Sequence, residues 1–273
     1  MSQAGVKVVI AGAAGRMGRA LVRCCQKVDG VVLAGAIEHG VHPQLGEDAG
    51  MIAGIDPVGI ALTADFGGAV ASADVVIDFS LHAAVPEHAR CVAQLGRAFV
   101  LGTTGLSDEE ARVVHETSAV VPVVWAPNMS PGVNVLFAMA ERATALLGSS
   151  YRVTIDDTHH IHKKDAPSGT ALRLGEKVAE GAGVPFDQVY IHDEGGQMDS
   201  YPAGSIAIRS YREGEVVGDH TVCFDGMGES VSLTHHAKSR DAFALGALQA
   251  AEWVVNKAPR LYDMQDVLGL RSL

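Results

Sequence analysis

A glycine-rich turn between an apolar run and an amphipathic segment is the feature that most constrains what this chain can fold into. Residues 6–11 are apolar apart from one lysine, which is the pattern of a short strand. Gly12, Gly15 and Gly18 follow, and residues 16–28 carry apolar side chains at helical spacing. Such glycines let the backbone approach a pyrophosphate, which the N–H groups at the start of the helix then face. The spacing G-x-x-G-x-x-G predicts a dinucleotide-binding turn, with a plain tight turn as the alternative.

Short apolar runs and helical segments alternate through the first half of the chain. The runs lie at 31–37, 75–79, 98–101 and 121–126, and a helical stretch at 86–95 separates two of them. Because strands that alternate with helices usually lie parallel, the pattern predicts an α/β fold with a doubly wound parallel sheet.

The pattern changes after a helix that Ser130 and Pro131 open, since serine is a good N-cap and proline suits the first helical turn. Beyond Tyr151, apolar residues alternate with polar ones in three places: Val153 and Ile155, Ile206 and Ile208, and Val231 and Leu233. Such alternation predicts half-exposed strands in a sheet with one wet face. An amphipathic segment at 243–255 predicts a last long helix.

Two domains follow from this change of pattern. We predict a discontinuous dinucleotide-binding domain of residues 1–130 and 240–273, to which the last helix returns. We predict that residues 131–239 form an α+β domain with a mixed, largely open sheet.

Composition excludes several classes of function. The 273 residues carry a formal net charge of −11, which argues against a nucleic-acid partner. The chain has no run of apolar residues long enough for a membrane span and no signal-peptide pattern at its start. The four cysteines, Cys24, Cys25, Cys91 and Cys223, lack metal-binding or disulfide spacing, so we expect a reducing, cytoplasmic compartment.

Two polar segments at predicted strand ends add to the dinucleotide hypothesis. Glu38 closes the second strand, where a carboxylate can accept hydrogen bonds from ribose hydroxyls. Residues 102–105, Gly-Thr-Thr-Gly, close the fourth strand, where small residues allow a nicotinamide to approach. A solvated charge and an ordinary turn are the respective alternatives.

The densest polar cluster is residues 156–170, DDTHHIHKKDAPSGT. Ser168 is positioned to cap a helix whose first N–H groups, with the Thr170 hydroxyl, can hold a carboxylate. Lys163 would supply a positive charge nearby.

Three interpretations of the histidines in this cluster compete. A metal site would use His160 and His162 with His235 and His236, but no carboxylate or cysteine completes a known ligand spacing, so we predict no metal. A solvated loop would give the histidines no chemical role. General acid catalysis beside an anion site uses the near-neutral pKa of imidazole, and a reduction by hydride needs such a proton. We favour the third interpretation.

The same cluster resembles the signature segment of 4-hydroxy-tetrahydrodipicolinate reductases, also called dihydrodipicolinate reductases. The resemblance rests on His159-His160-Ile161-His162-Lys163 followed by Asp165-Ala166-Pro167-Ser168-Gly169-Thr170-Ala171. It extends over nearly the whole chain, through residues 12–18, 78–80, 102–105, 128–134, 218–220, 239–240 and 243–244.

The resemblance implies a Rossmann-like domain, a substrate-binding domain that also forms a homotetramer, and reduction of a cyclic, imine-containing dicarboxylate by NADH or NADPH in diaminopimelate and lysine biosynthesis. His159 would be the catalytic acid and Lys163 a second catalytic residue. The substrate would contact His160, Ser168, Gly169 and Thr170. The cofactor would contact Gly12, Ala13, Ala14, Gly15, Arg16, Met17, Glu38, His39, Gly102, Thr103, Thr104, Ala126, Pro127, Asn128 and Met129.

Two positions depart from the family pattern. His39 stands where members often have a basic residue for the 2′-phosphate of NADPH, so we expect NADH to be used at least as well. Asp157 stands where a glutamate is expected, and it would shift the histidines slightly. Two other functions share the glycine loop, namely another two-domain nicotinamide-dependent dehydrogenase and a non-catalytic NAD(H) sensor. Neither accounts for the cluster from His159 to Thr170.

Overall fold

The computed structural model describes residues 5–198 and 200–272. Its strands are β1 (Val6–Ala11), β2 (Val31–Ile37), β3 (Leu62–Thr63), β4 (Val75–Asp78), β5 (Ala98–Leu101), β6 (Pro122–Trp125), β7 (Arg152–His159), β8 (Tyr190–Glu194), β9 (Ile206–Arg212), β10 (Asp219–Asp225), β11 (Ser230–His236) and β12 (Arg260–Tyr262). Its helices are α1 (Arg16–Cys25), α2 (Ala49–Ala53), α3 (Phe66–Ala71), α4 (Val85–Gln94), α5 (Asp108–Ser118), α6 (Pro131–Leu147), α7 (Gly169–Ala182), α8 (Phe186–Val189), α9 (Asp241–Val254) and α10 (Met264–Val267).

One compact unit runs to Pro131 and resumes over Arg240–Gly269. Its seven-stranded sheet has the order β12-β6-β5-β4-β1-β2-β3, and every described pairing in it is parallel. Val8 and Ile10 of β1 face one apolar cluster, which includes α1 and α9, whereas Val9 faces the other. Because both faces are covered, the strands are almost continuously apolar. The predicted Rossmann-like, doubly wound sheet is confirmed.

The strand order reverses between β1 and β4, so the connections from these two strands leave in opposite directions. Ligands of doubly wound proteins bind at the carboxyl ends of the strands beside such a switch point. The glycine loop follows β1, and the segment from Phe79 follows β4. The topology therefore places both segments where a dinucleotide is expected.

The second unit comprises Gly132–Ser239, together with the residues from Leu270 onwards, which our prediction had placed in the first domain. Its sheet has the order β11-β10-β7-β9-β8 and is mixed, since β10 runs antiparallel to β7 and β11 while β9 runs parallel to β7 and β8. α6 and α7 pack on one face. The predicted mixed sheet is confirmed, and its edge strand β11 leaves Val231 38% exposed.

Several boundaries differ from the predictions by a few residues. α1 ends at Cys25 rather than near residue 28, because the N–H groups of Gln26 and Lys27 bond to carbonyls three residues back, those of Arg23 and Cys24, which closes the helix in a turn. β4 ends at Asp78, one residue early, since the Asp78 carboxylate accepts hydrogen bonds from the following turn. The short elements α2, α3 and β3 carry too few residues to show a period.

Two features bear on the chain's surroundings. Among the described residues, every helix is too short or too polar to cross a membrane. The four cysteines are free, and burial raises the pKa of the Cys25 thiol to about 12. Cys24 and Cys25 are packing residues of the first core.

Candidate active site

The glycine loop after β1 is as tight as a backbone permits. Gly12 has a φ of +76°, and a Cβ there would lie 2.7 Å from the Phe79 carbonyl oxygen. A Cβ on Gly18 would lie 2.2 Å from the Gly12 oxygen and 2.5 Å from the Ala13 Cα. Only glycine fits both positions, because each approach is closer than van der Waals contact. The loop leads directly into the first turn of α1, and Gly15 is the N-cap residue of that helix.

Glu38 lies beside this loop. Its carboxylate accepts hydrogen bonds from the backbone N–H of Ala14 (3.3 Å) and of His39 (3.2 Å). His39 is exposed, and its ring meets the edge of the His42 ring at 5.3 Å between centroids. A half-buried carboxylate is thus held at the end of β2, within reach of a ligand on the loop.

A cavity of about 430 Å³ opens in the first unit near these strand ends. Seven of the residues predicted to contact the cofactor line it: Met17, Gly102, Thr103, Thr104, Pro127, Asn128 and Met129. Five residues that were not predicted also line it: Phe79, Ser80, Leu81, His82 and Phe243. Ala126 is instead buried in the core, so its predicted contact does not come from the cavity wall.

A buried carboxylate, Asp78, is hydrogen-bonded to two residues that line this cavity, Ser80 and Thr103. Asp78 is fully buried and accepts hydrogen bonds from the N–H (2.8 Å) and hydroxyl (2.6 Å) of Ser80. His88 Nδ1 lies 2.7 Å from its other oxygen, and the Thr103 hydroxyl lies 3.3 Å from Oδ1. Asp78 was part of the family resemblance only through residues 78–80, although a charged residue at the end of an apolar strand is itself a signal of a functional position.

The tight glycine turn, the carboxylate after β2 and the cavity together fit a dinucleotide. The turn offers backbone N–H groups to a pyrophosphate, and Glu38 offers acceptors to ribose hydroxyls.

The second unit brings together groups that are far apart in the sequence. β7 places Asp157 and His159 on the same buried face, and its pairing with β10 puts His220 opposite Asp157. Asp157 Oδ1 lies 3.0 Å from His159 Nδ1 and 3.2 Å from His220 Nε2. Sequence analysis assigned no role to Asp157 or His220. A carboxylate at a position that alternation reserves for apolar residues was the available signal.

Ser168 caps α7, but its side chain faces inward. Its Oγ accepts from the Ala171 N–H (3.1 Å) and donates to Asp157 Oδ1 (2.7 Å), while its own N–H donates to Asp157 Oδ2 (2.8 Å). The hydroxyl is therefore hydrogen-bonded within the protein, and the predicted contact of Ser168 with the substrate stays a prediction. Gly169 is exposed and Thr170 half-buried in the first turn, next to this cap.

Lys163 and the loop around it are held by charged groups. The Lys163 ammonium lies 2.6 Å from Asp165 Oδ2. Although partial burial acts to raise the pKa of Asp165, the Lys163 ammonium lowers it overall. The Arg212 guanidinium, which sequence analysis missed, donates hydrogen bonds to the carbonyls of Lys163 and Asp165. The loop therefore carries a lysine whose charge is already partnered.

Several imidazole nitrogens near this loop are buried and unsatisfied. In the described part of the chain, Nδ1 of His159, His160, His220 and His235 makes no hydrogen bond. Burial lowers the pKa of His220 and of His235, so both are neutral near pH 7. His162 is exposed and faces Glu215 instead. Because a buried polar atom without a partner costs about 1–3 kcal/mol, a polar ligand is the expected complement of this region.

A metal would need a different ligand set from the one considered above. Atoms of Asp157, His159 and His220 lie within 4.8 Å of one another. Because Ser168 already donates two hydrogen bonds to this carboxylate, we assign the cluster to hydrogen bonding.

Comparison with known proteins agrees over both units. Residues 6–129 match the family model "Dihydrodipicolinate reductase, N-terminus", and residues 132–268 match "Dihydrodipicolinate reductase, C-terminus". The chain is 48% identical to the 4-hydroxy-tetrahydrodipicolinate reductase of Anaeromyxobacter dehalogenans over 266 residues, which cover 97% of this chain and 98% of that protein.

Solved structures share the fold at lower identity. The dipicolinate-bound dihydrodipicolinate reductase from Paenisporosarcina sp. TG-14 superposes with a TM-score of 0.75 at 22% identity, covering 96% of this chain and 99% of that chain. The DAP dehydrogenase of C. glutamicum, in complex with DAP, gives a TM-score of 0.55 at 14% identity, covering 98% and 94%.

Proposed function

The chain belongs to the dihydrodipicolinate reductase family, and we propose that it carries out the family's reduction with His159 as the proton donor. The enzyme is an NAD(P)H-dependent oxidoreductase that converts 4-hydroxy-tetrahydrodipicolinate to tetrahydrodipicolinate in diaminopimelate and lysine biosynthesis. Overall, the substrate gains a hydride and a proton, and its hydroxyl leaves together with one ring hydrogen as water. The observation that carries our assignment is the buried His159 beside a carboxylate and a capped helix N-terminus.

The cofactor is assigned to the first unit. When bound there, reduced nicotinamide supplies the hydride. Residues 12–17 would face the pyrophosphate, Glu38 would accept from the adenine ribose, and the cavity residues around Gly102 and Asn128 would surround the nicotinamide. Residues 1–130 and 240–273 would thus bind the dinucleotide.

The proton is assigned to His159, within the substrate domain 131–239. Its Nδ1 faces Asp157, while Nε2 lies near Gly218, where a Cβ would come within 3.0 Å. With Nδ1 facing the carboxylate, Nε2 is the nitrogen left to deliver a proton to the substrate. Imidazole suits this role because it changes charge near neutral pH.

The substrate's carboxylates are assigned to the start of α7 and to Lys163. The N–H groups of Gly169 and Thr170 lie in the first turn, where the helix dipole favours an anion. His160 has a buried nitrogen available for a polar group. Lys163 would exchange its contact with Asp165 for the substrate carboxylate.

We expect NADH to support turnover at least as well as NADPH at neutral pH. Glu38 would repel a 2′-phosphate, and His39 offers it no fixed positive charge of the kind that arginine supplies. Steady-state oxidation of each cofactor would be measured with substrate generated in place from pyruvate and aspartate semialdehyde by a synthase. The H39R variant should gain selectively in kcat/KM for NADPH.

A tenfold or greater preference of the wild type for NADPH would contradict this use of His39. If folded protein binds NADH but turns over with neither cofactor, another dehydrogenase activity or a sensor becomes the better account.

We also propose a cytoplasmic homotetramer formed through the second unit. The face of its sheet opposite α6 and α7 is polar but half-buried, with Arg209 held on Asp156 and Thr221 bonded to Thr234. Such an ordered face is suited to a second copy of the sheet. Light scattering should give four times the 28.5 kDa chain mass, and a monomer at micromolar concentration would contradict the proposal.

A further inference from the structure

Asp157 contacts three residues of the second unit at once, namely His159, Ser168 and His220. It is completely buried on β7, two residues before His159. One oxygen receives the Ser168 hydroxyl and lies 3.0 Å from His159 Nδ1, while the other receives the Ser168 N–H. A single carboxylate thus touches both the proton donor and the residue that begins α7.

The Asp157 carboxylate is ionised near neutral pH. Burial alone would raise the pKa of Asp157, but the contacts from His159 and His220 and the hydrogen bonds from Ser168 together lower it. His220 is neutral, because burial lowers its pKa. Asp157 is therefore a buried negative charge that lies directly against the His159 ring.

Ser168 acts as a connector rather than as a ligand for substrate. Its only hydroxyl proton goes to Asp157, and its oxygen accepts from the Ala171 N–H and lies 3.3 Å from His220 Nε2. Both the side chain and the backbone of the helix cap are thereby tied to one buried anion. Any movement of Asp157 would move the start of α7.

The His159 ring can rotate to improve its contact with Asp157. Nδ1 lies at ion-pair distance from Oδ1, yet its N–H does not point along the line to that oxygen. Rotation of the ring would turn the contact into a charge-assisted hydrogen bond, which is about twice as strong as a neutral one.

We propose that Asp157 is a positioning residue that holds the His159 acid and the Ser168-capped end of α7 in one geometry, so that proton donor and carboxylate site are set relative to each other before substrate binds. The proposal rests on the role assigned to His159 above. It gives Asp157, Ser168 and His220 a joint purpose that no single contact explains.

The D157N variant tests this directly, because asparagine keeps the shape and removes the charge. We expect kcat to fall at least about tenfold and the substrate KM to rise, with an unchanged dissociation constant for NADH. The charged and titratable groups around His159 are Asp157 on its own strand, His220 and Asp219 on β10, and Arg212 opposite on β9, whose guanidinium is turned to the Lys163 loop.

The pH profile separates positioning from simple stabilisation. A general acid works while protonated, so kcat falls as pH rises past the point where the acid loses its proton. Removing a negative charge disfavours a neighbouring cation, so the alkaline limb of kcat should move to lower pH in D157N. The D157E variant keeps the charge, and its limb should coincide with that of the wild type.

The outcomes are distinguishable. A D157N enzyme that melts earlier but keeps its kcat and its alkaline limb would overturn the inference, as would stoichiometric bound metal that D157N loses. If H159Q leaves kcat intact, the proposed function fails first; if H159Q abolishes turnover and D157N does not, only this inference fails. If D157N does not fold, ¹⁵N NMR of His159 in the wild-type protein tests the inference instead. We expect the neutral tautomer that carries its proton on Nδ1, facing Asp157. The tautomer that carries its proton on Nε2 would overturn the inference.

Discussion

The H159Q variant is expected to lose about 10²–10⁴-fold in kcat while binding NADH as tightly as the wild type. Glutamine fills much of the space of the imidazole but has no proton that it can give up near neutral pH. The loss should therefore appear in kcat and leave the cofactor affinity, which belongs to the first unit, unchanged. Single-turnover kinetics and equilibrium titration with NADH would measure the two quantities separately.

His162, three residues after His159, provides a matched control. It is exposed and lies 3.3 Å from Glu215, so H162Q should retain kcat within about twofold. If the two variants lose activity equally, the acid is not His159. If H159Q retains kcat, no proton transfer from this residue limits turnover.

The K163A variant is expected to lower kcat and to raise the substrate KM, with a combined loss of about 10–100-fold in kcat/KM. The estimate follows from the roughly 1.5–3 kcal/mol that a hydrogen bond to a charged group contributes. Both parameters should change, because the ammonium would contact a carboxylate in the bound substrate and as the reaction proceeds. Steady-state kinetics over a range of substrate concentrations would measure both.

Part of this loss has a second origin, which a double variant can isolate. Lys163 is paired with Asp165, so its removal leaves an unpartnered carboxylate near a dianionic substrate. In K163A/D165N, the part of the KM increase that comes from repulsion between Asp165 and the substrate should disappear. The loss of kcat should remain. The neighbouring K164A serves as control, since Lys164 is exposed. Unchanged kcat and KM in K163A would show that Lys163 is placed wrongly.

Local pattern was sufficient to predict the five main strands of the first unit, β1, β2, β4, β5 and β6. β1, β2 and β5 have the predicted bounds because each is an apolar run with turn residues close behind it, and a strand buried on both faces tolerates little else. In the second unit, β10 was missed since Asp219 to Asp225 mixes histidine, threonine and cysteine, and β8 is similarly polar. Such strands exist because neighbours pair with them, and that pairing is not a local property.

The candidate site likewise contains residues that one sequence segment predicts and residues that only strand pairing brings in. His159, Lys163 and the start of α7 lie within one short segment, so residue chemistry and spacing were enough to propose an acid among its histidines beside an anion site. The family resemblance selected His159 as that acid and Lys163 as the second catalytic residue. His220 and Arg212 join the site only through the pairing of β7 with β10 and β9, and no rule of sequence specifies that register. For Ser168, the sequence was enough to predict a helix cap but not the other contact of its side chain. The hydroxyl also donates a hydrogen bond to the buried Asp157 carboxylate.

The discontinuity of the first unit has a consequence for how the protein is made. The helix α9 is buried along one side in the same cluster as β1 and β4, and β12 forms the outer pair with β6. A ribosome therefore finishes the glycine loop long before it makes the helix that covers the sheet. Domains usually fold as units while the N-terminus leads. Here the nucleotide-binding unit completes its core only when the last segments have left the exit tunnel, so a nascent chain stopped near Ser239 should carry an uncovered apolar sheet that attracts chaperones.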